Sequence, residues 1–206
     1  SNPSAPCVIG ELKIPGWSDY LHPVDGKHLL GLGKAATDEG VVQGVKVALF
    51  DVSDPTNPTE KYSMVLGDRG TESEATHDHK AFLFHQPTNL LVFPLTLREI
   101  AHKDGMSEEE RQWAYGELAM DGAAVLYLGE SGFEHRGYVS HMPVPPATDH
   151  WWHGVRSVYR ATYMAGGGTE ALFSYSQREI RVHDLANLAQ LSQVTISQPQ
   201  CVADSA

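Results

Sequence analysis

The sequence predicts an all-β fold, a β-propeller segment of about three four-stranded antiparallel blades with one short inserted helix. Three observations lead to this prediction. Short runs that alternate polar and apolar residues recur along the chain, and such runs are typical of strands. Asp, Asn, Gly and Pro punctuate the runs as turn residues. The runs also fall into three similar rounds, each closing with a strand, an Asp- or Gly-bearing turn and a last strand, as repeating blades do.

The first round predicts a blade over residues 17–67. Residues 28–33 follow a turn at Asp25-Gly26, and a longer strand over 45–52 is stopped by Asp54 and two prolines, which cannot donate to a ladder. Residues 61–66 then return antiparallel. The glycines within 28–33 indicate a place where blades approach closely. The preceding residues 10–16 also alternate and are predicted to form an outer strand of a preceding blade.

The second and third rounds predict blades over residues 76–141 and 153–196. The second is longer because it contains an insertion in which Ser107 and Glu110 form a capping box, so a helix is predicted over 107–115. A β-sandwich also contains many short strands, but Asp-bearing turns at the same place in each round favour blades. The whole chain, 1–206, is interpreted as one partial propeller domain.

Composition excludes several classes of partner. With 41% hydrophobic and 20% charged residues, the chain is globular. Its 15 Lys and Arg against 26 Asp and Glu give a net charge of −11, which disfavours nucleic acid, whose affinity depends on cations that neutralise phosphates. It also disfavours anionic lipid surfaces. No apolar run is long enough for a membrane-spanning helix.

The two cysteines, Cys7 and Cys201, lie at opposite ends of the chain. Their spacing matches no zinc or redox motif. They are either two free thiols or, as we favour, a disulfide that ties the termini of an exported protein.

Histidines supply the candidate metal ligands. His77 and His79 are two residues apart, so on a strand both would point to one face. Imidazoles backed by carboxylates hold divalent transition metals, and His85 or His22 could add a ligand. The alternative is a structural polar network, which we favour because two histidines without a third fixed ligand are a weak signal.

Trp151 and Trp152, flanked by two histidines, are candidate ligand-binding residues. Tandem indoles in a loop could stack a sugar or another flat ligand. Packing of one blade against the next is the alternative.

Several stretches in one order resemble the family of secreted proteins with a C-terminal β-propeller domain. They are GELKIPG at 10–16, YLHP at 20–23, HLLGLG at 28–33, FDVSDPTNP at 50–58 and HDHKAF at 77–82. The resemblance covers most of residues 10–196 and implies a propeller at a secreted, extracellular or cell-surface location. It also implies that this chain corresponds to the C-terminal part of a longer protein. The expected partners are therefore the remaining blades of a longer or cleaved chain, or further copies of this one.

No catalytic motif is evident. The sequence contains no Gly-x-Ser-x-Gly elbow, no phosphate-binding loop and no dinucleotide fingerprint. The function predicted is a non-catalytic binding or scaffold module without a cofactor. The alternative is a metal-binding protein or metal-dependent enzyme that uses His77 and His79.

Overall fold

Strands dominate the protein, of which a computed structural model describes residues 4–142 and 157–196. Within these residues, twelve strands form three four-stranded antiparallel sheets, and each strand pairs with its neighbours in sequence. The first sheet contains β1 (Trp17–Pro23), β2 (His28–Ala36), β3 (Val42–Asp51) and β4 (Thr59–Leu66). The second contains β5 (Leu83–His85), β6 (Leu90–Glu99), β7 (Glu117–Gly129) and β8 (Gly132–Val139). The third contains β9 (Arg160–Gly166), β10 (Thr169–Tyr175), β11 (Glu179–Asp184) and β12 (Gln190–Thr195).

Helical structure in the described residues is short. The α-helix α1 (Glu108–Trp113) lies between β6 and β7. Its capping box is present, because Ser107 Oγ accepts the Glu110 N–H at 3.2 Å and a Glu110 carboxylate oxygen accepts the Ser107 N–H at 2.8 Å. Three 3-10 helices cover Glu74–Thr76, His79–Ala81 and Gln86–Thr88. The predicted all-β fold, with three four-stranded antiparallel sheets and one short inserted helix, is confirmed.

The three sheets pack in a row, with the second sheet in the middle. Because side chains alternate across a strand, Leu91 and Phe93 of β6 pack with the first sheet, and Leu90 and Val92 pack with the third. All four are fully buried. A strand in a sheet that is covered on both faces has apolar residues at successive positions, which explains the uninterrupted apolar sequence of residues 90–95. Three stacked sheets with two separate cores are the packing of neighbouring blades, not that of a two-sheet sandwich.

Residues 10–16, predicted to form an outer strand of a preceding blade, contain no strand in the structure. They lie against the face of the first sheet that points away from the second. Both glycines of this segment lie too close to the first sheet to allow a side chain. A Cβ atom on Gly10 would be only 2.2 Å from the carbonyl oxygen of Pro55, and a Cβ atom on Gly16 would be only 2.2 Å from the carbonyl oxygen of Lys34. We call residues 10–16 the N-terminal strap. Its alternating pattern packs apolar side chains on a sheet face, and pairing with a preceding blade stays a prediction.

The close approach at the glycines of β2 occurs inside one sheet. A Cβ on Gly33 would lie 2.1 Å from the Trp17 carbonyl oxygen, and one on Gly31 would lie 2.4 Å from Ser18 Oγ. Both neighbours belong to β1, whose register shifts between Ser18 and Tyr20. The prediction that these glycines let two blades approach is therefore wrong, because the bulged strand beside them occupies the space.

Candidate functional site

A cleft of about 600 Å³ opens where the ends of the second and third sheets meet. One wall is the segment that leads from the first sheet into the second, including Glu74 and His77. Thr96 of β6 and Asp121 of β7 form the floor, and Tyr159 at the start of the third sheet closes the other side. Loops and strand ends therefore supply the lining, which is where propellers and other scaffolds carry binding residues.

A hydrogen-bonded turn fixes the Glu74 and His77 wall. Ser73 Oγ accepts the Ala75 N–H at 3.3 Å and donates to the Pro94 carbonyl at 2.6 Å, which ties the 3-10 helix Glu74–Thr76 to β6. Ala75 is buried beneath it. Glu74 and His77 point outward and are exposed. Their side chains make no hydrogen bond or ion pair with the part of the chain that the structure describes.

Other acidic groups of the cleft are engaged. Glu72 pairs with Lys34 Nζ at 2.7 Å, and Lys34 also donates to the Thr71 carbonyl. Asp121 is 4% exposed, and its carboxylate accepts from Ser157 Oγ at 2.7 Å. Because Lys34 offsets the charge of Glu72 and Asp121 is almost fully buried, Glu74 is the carboxylate at the opening that is exposed and has no partner among the described residues. In a chain of net charge −11, this carboxylate favours cationic ligands.

A second cleft of about 640 Å³ lies at the opposite ends of the same two sheets. Several of its charged side chains already have partners. Arg136 bonds to Glu134 at 2.7 Å and lies over the Tyr127 ring at 5.3 Å, and Tyr163 donates to Glu170 at 2.6 Å. The first cleft is the better candidate because Glu74 and His77 are exposed there and have no partner within residues 4–142 and 157–196.

The structure separates the two histidines predicted to act together. His77 ends one 3-10 helix and His79 begins the next, so the prediction that both lie on a strand with side chains on one face is wrong. Asp78 explains the difference, because its carboxylate accepts the Lys80 N–H at 2.9 Å and starts a new turn. His77 lines the cleft, whereas the His79 ring lies 6.4 Å from the Tyr20 ring.

The other histidines named as possible ligands lie on the first strand of their sheets. Tyr20 Oη and His22 Nδ1 are 3.0 Å apart, and partial burial lowers the pKa of His22. The His85 ring stacks on Tyr163 with centroids 4.1 Å apart. Among residues 4–142 and 157–196, no group of three or more His, Cys, Asp or Glu side chains is placed to hold a metal ion. The metal hypothesis remains a prediction that rests on the sequence pattern.

Sequence reasoning missed a buried polar cluster between the second and third sheets. His141 Nε2 lies 2.8 Å from Ser174 Oγ, which lies 3.2 Å from His183 Nε2. Arg181 donates to the His141 carbonyl at 3.3 Å and pairs with Glu179 at 2.7 Å. Ser174 is fully buried, so this arrangement locks two sheets together and does not present a nucleophile. His141 lies 33 residues before Ser174 in the sequence, whereas the other members of the cluster come from the adjacent strands β10 and β11, and no local signal indicated that His141 meets them.

Three other predicted residues, Trp151, Trp152 and Cys201, lie outside the described residues. Cys7 is exposed. The ligand-binding role of the tandem tryptophans and the disulfide stay predictions. No helix in the described ranges has both the length and the apolar character that crossing a membrane requires.

Comparison with known proteins gives a family and two relatives. A family model described as a beta propeller domain matches residues 1–188. An uncharacterized protein of Archaeoglobus fulgidus is 40% identical over 108 residues, which are 52% of this chain and 16% of that protein. An uncharacterized protein of Methanocaldococcus jannaschii is 40% identical over 95 residues, which are 45% of this chain and 14% of that protein. The matches thus cover less than a fifth of the length of either relative.

Proposed function

Because this chain belongs to the beta propeller domain family, we propose that it is a non-catalytic, extracytoplasmic scaffold module. It binds a partner protein at the cleft between the second and third sheets. The observation that carries the proposal is the pair of exposed side chains, Glu74 and His77, which make no bond to the described residues and lie on a wall fixed by Ser73. A rigid support beneath exposed polar groups suits binding, because little conformational entropy is lost when a ligand is held.

The charge of the cleft selects the kind of partner. Glu74 presents an exposed carboxylate that has no ion-pair partner among the described residues, in a chain of net charge −11, so the partner segment that fits carries lysine or arginine. Charge complementarity of this kind sets specificity and association rate more than affinity. The binding expected at one such segment is therefore weak and dependent on salt.

A non-catalytic role agrees with the chemistry of the described residues. Ser174 has imidazoles on both sides but is fully buried, so no substrate reaches its hydroxyl. The exposed groups in the cleft are carboxylates, an imidazole, a phenol and the Gln177 amide, and none of them is a nucleophile activated by a base. The exported location is supported by the two cysteines and by the resemblance to secreted proteins. Protease treatment of intact cells that make the full-length protein tests it, since a cytoplasmic protein would be protected.

Binding at the cleft is tested by fluorescence polarisation with a short labelled peptide of alternating lysine and serine. Glu74→Gln should weaken binding about threefold, the effect of losing one exposed ion pair. Glu109→Gln is the matched control, because Glu109 is exposed on α1 and away from the cleft. Equal affinities of the two variants, or no binding by the unmodified protein, would contradict the proposal.

A further inference from the structure

The second and third sheets are joined by the buried polar cluster around His141. Arg181 of β11 donates to the carbonyl oxygens of Ser140 and His141 at 2.9 and 3.3 Å, in the segment that follows β8. His141 Nε2 lies 2.8 Å from Ser174 Oγ of β10. Ser140 Oγ donates in turn to the carbonyl oxygen of Asp121, which lies on the floor of the cleft. These hydrogen bonds cross from one sheet to the other, so the junction depends on them.

The hydrogen-bond partners assign the tautomer of each imidazole. His183 Nδ1 lies 3.4 Å from the Leu188 carbonyl oxygen, which can only accept, so Nδ1 carries the hydrogen and Nε2 is an acceptor. The hydroxyl of Ser174 donates its one hydrogen to this Nε2 at 3.2 Å. His141 Nε2 therefore donates to Ser174 Oγ, and the lone pair of the His141 ring lies on Nδ1. That atom is buried and has no hydrogen-bond partner among the described residues, so the cluster fits two neutral rings.

A proton added to either ring would place an uncompensated charge between the sheets. Glu179 and Arg181 of β11 already neutralise each other at 2.7 Å. Glu179 faces His141 Nδ1 at 3.8 Å, which is beyond hydrogen-bond distance. Burial lowers the pKa of His141 to about 3 and also lowers the pKa of His183. The neighbouring strands β7, β10 and β9 supply groups that are already bonded or apolar, namely Asp121 bonded to Ser157, Glu170 bonded to Tyr163, and Ala161 opposite Ser174.

This junction contains fewer buried apolar residues than the one between the first and second sheets. Within the described ranges, the core at the first junction includes Leu91, Phe93 and Leu126 in a larger set than the core around Leu172 at the second. Regions that bury fewer apolar contacts open at a lower free energy than the rest of a protein. A buried polar network holds two surfaces together only while its members are paired. The third sheet is therefore the unit expected to open first.

We propose that the cluster makes this junction an acid-sensitive joint, at which the third sheet separates from the second while the first and second sheets stay packed. In the closed state both rings are neutral. In the open state water solvates each ring, which takes up a proton near pH 6.5, the ordinary pKa of histidine. Each such histidine raises the equilibrium constant for opening about 25-fold between about pH 7 and about pH 5.

The joint also regulates the cleft, and this part rests on the proposed function. Tyr159 and Gln177 belong to the third sheet's side of the cleft, whereas Glu74 and His77 lie on the other side. Opening the joint separates these walls, so a ligand held by both binds the closed state only. Such a ligand opposes opening by mass action. Protons on the two histidines and a ligand in the cleft therefore act against each other.

Hydrogen exchange of the 206-residue chain, corrected for the intrinsic exchange rate at each pH, measures opening sheet by sheet. At about pH 5, the slowest amides of the third sheet (160–195) should have an opening constant at least about tenfold larger than the slowest amides of the first sheet (17–66). In His141→Gln, the rise of the third-sheet constant between about pH 7 and about pH 5 should be about 25-fold smaller. Glutamine keeps a donor near the position of Nε2 and takes up no proton. His135→Gln is the matched control, because His135 is exposed on β8, and its constants should rise like those of the unmodified protein.

One opening constant shared by all three sheets at both pH values would show that the junction opens only on global unfolding, and it would overturn the proposal. A rise in His141→Gln equal to that of the unmodified protein would also overturn it. If that variant does not fold, the comparison of sheets in the unmodified protein still decides.

The labelled lysine–serine peptide tests the coupling to the cleft. At ten times its dissociation constant, it should lower the third-sheet opening constant about tenfold. A bound peptide that leaves this constant unchanged would refute the regulation of the cleft. A peptide that does not bind refutes the proposed function, and the regulation with it, whereas the two levels of exchange in the unmodified protein still establish the joint.

Discussion

Acid should destabilise this protein through the histidines buried between the second and third sheets. His141 is 1% exposed and His183 is 4% exposed, with Ser174 Oγ between their rings. Burial lowers the pKa of His141 to about 3, with further contributions from the charge of Arg181 and from the charge that His183 would carry if it were protonated. Burial also lowers the pKa of His183. Both imidazoles are therefore neutral in the folded protein, while the unfolded chain takes up protons near pH 6.5.

Proton linkage gives the direction and the size of the change in the free energy of unfolding with pH. A histidine whose folded pKa is depressed contributes stability above about pH 6.5, and this contribution is lost as the pH falls toward the folded value. The contribution of His141 to stability is therefore lost between about pH 6.5 and about pH 3. Between about pH 7 and about pH 5, one histidine that stays neutral when folded removes about 2 kcal/mol from the free energy of unfolding. His183 acts in the same direction.

Urea denaturation at several pH values across that interval measures the effect. His141→Asn removes the titrating ring, so the variant should lose about 2 kcal/mol less than the unmodified protein between about pH 7 and about pH 5. His77→Asn is the control, because His77 is exposed in the cleft, and its pH dependence should match that of the unmodified protein. If His141→Asn loses as much stability on acidification as the unmodified protein, the burial argument is refuted.

Three further predictions address the termini, the metal hypothesis and the core. Cys7 and Cys201 are predicted to be disulfide-bonded, so intact mass after alkylation without reductant should show no modified thiol, and two alkylated cysteines would exclude the bond. Because His77 and His79 are exposed and diverge, changing both to alanine should alter the free energy of unfolding by less than about 0.5 kcal/mol. Elemental analysis of the same variant and the unmodified protein should show equal metal content, and a stoichiometric transition metal lost in the variant would establish the metal site. Leu172→Ala should cost about 2–5 kcal/mol in chemical denaturation, since Leu172 is fully buried between two sheets, and a cost below about 1 kcal/mol would show that those sheets are loosely packed.

The candidate site was only partly predictable. His77 was identified from its spacing to His79, and it does line the cleft. The pairing with His79 failed because Ser73 and Asp78 cap two successive 3-10 turns, and side-chain bonds of this kind compete with strand structure. Glu74 carries the proposed function, yet as one glutamate among many it had no pattern that distinguished it.

The sequence alone determined most of the strands, many of the turns and the helix, because these depend on residues close together in the chain. Asp54 shows this, since its carboxylate accepts from both Thr56 N and Thr56 Oγ1 at 2.9 and 2.6 Å and forms the predicted turn within three residues. The capping box of Ser107 and Glu110 is equally local. Only the tertiary structure decided which sheet face meets which neighbour, that the strap covers one end, and that His141 meets Ser174. Those contacts join residues tens of positions apart, and they form wherever the packed sheets bury the most apolar surface, which no local pattern specifies.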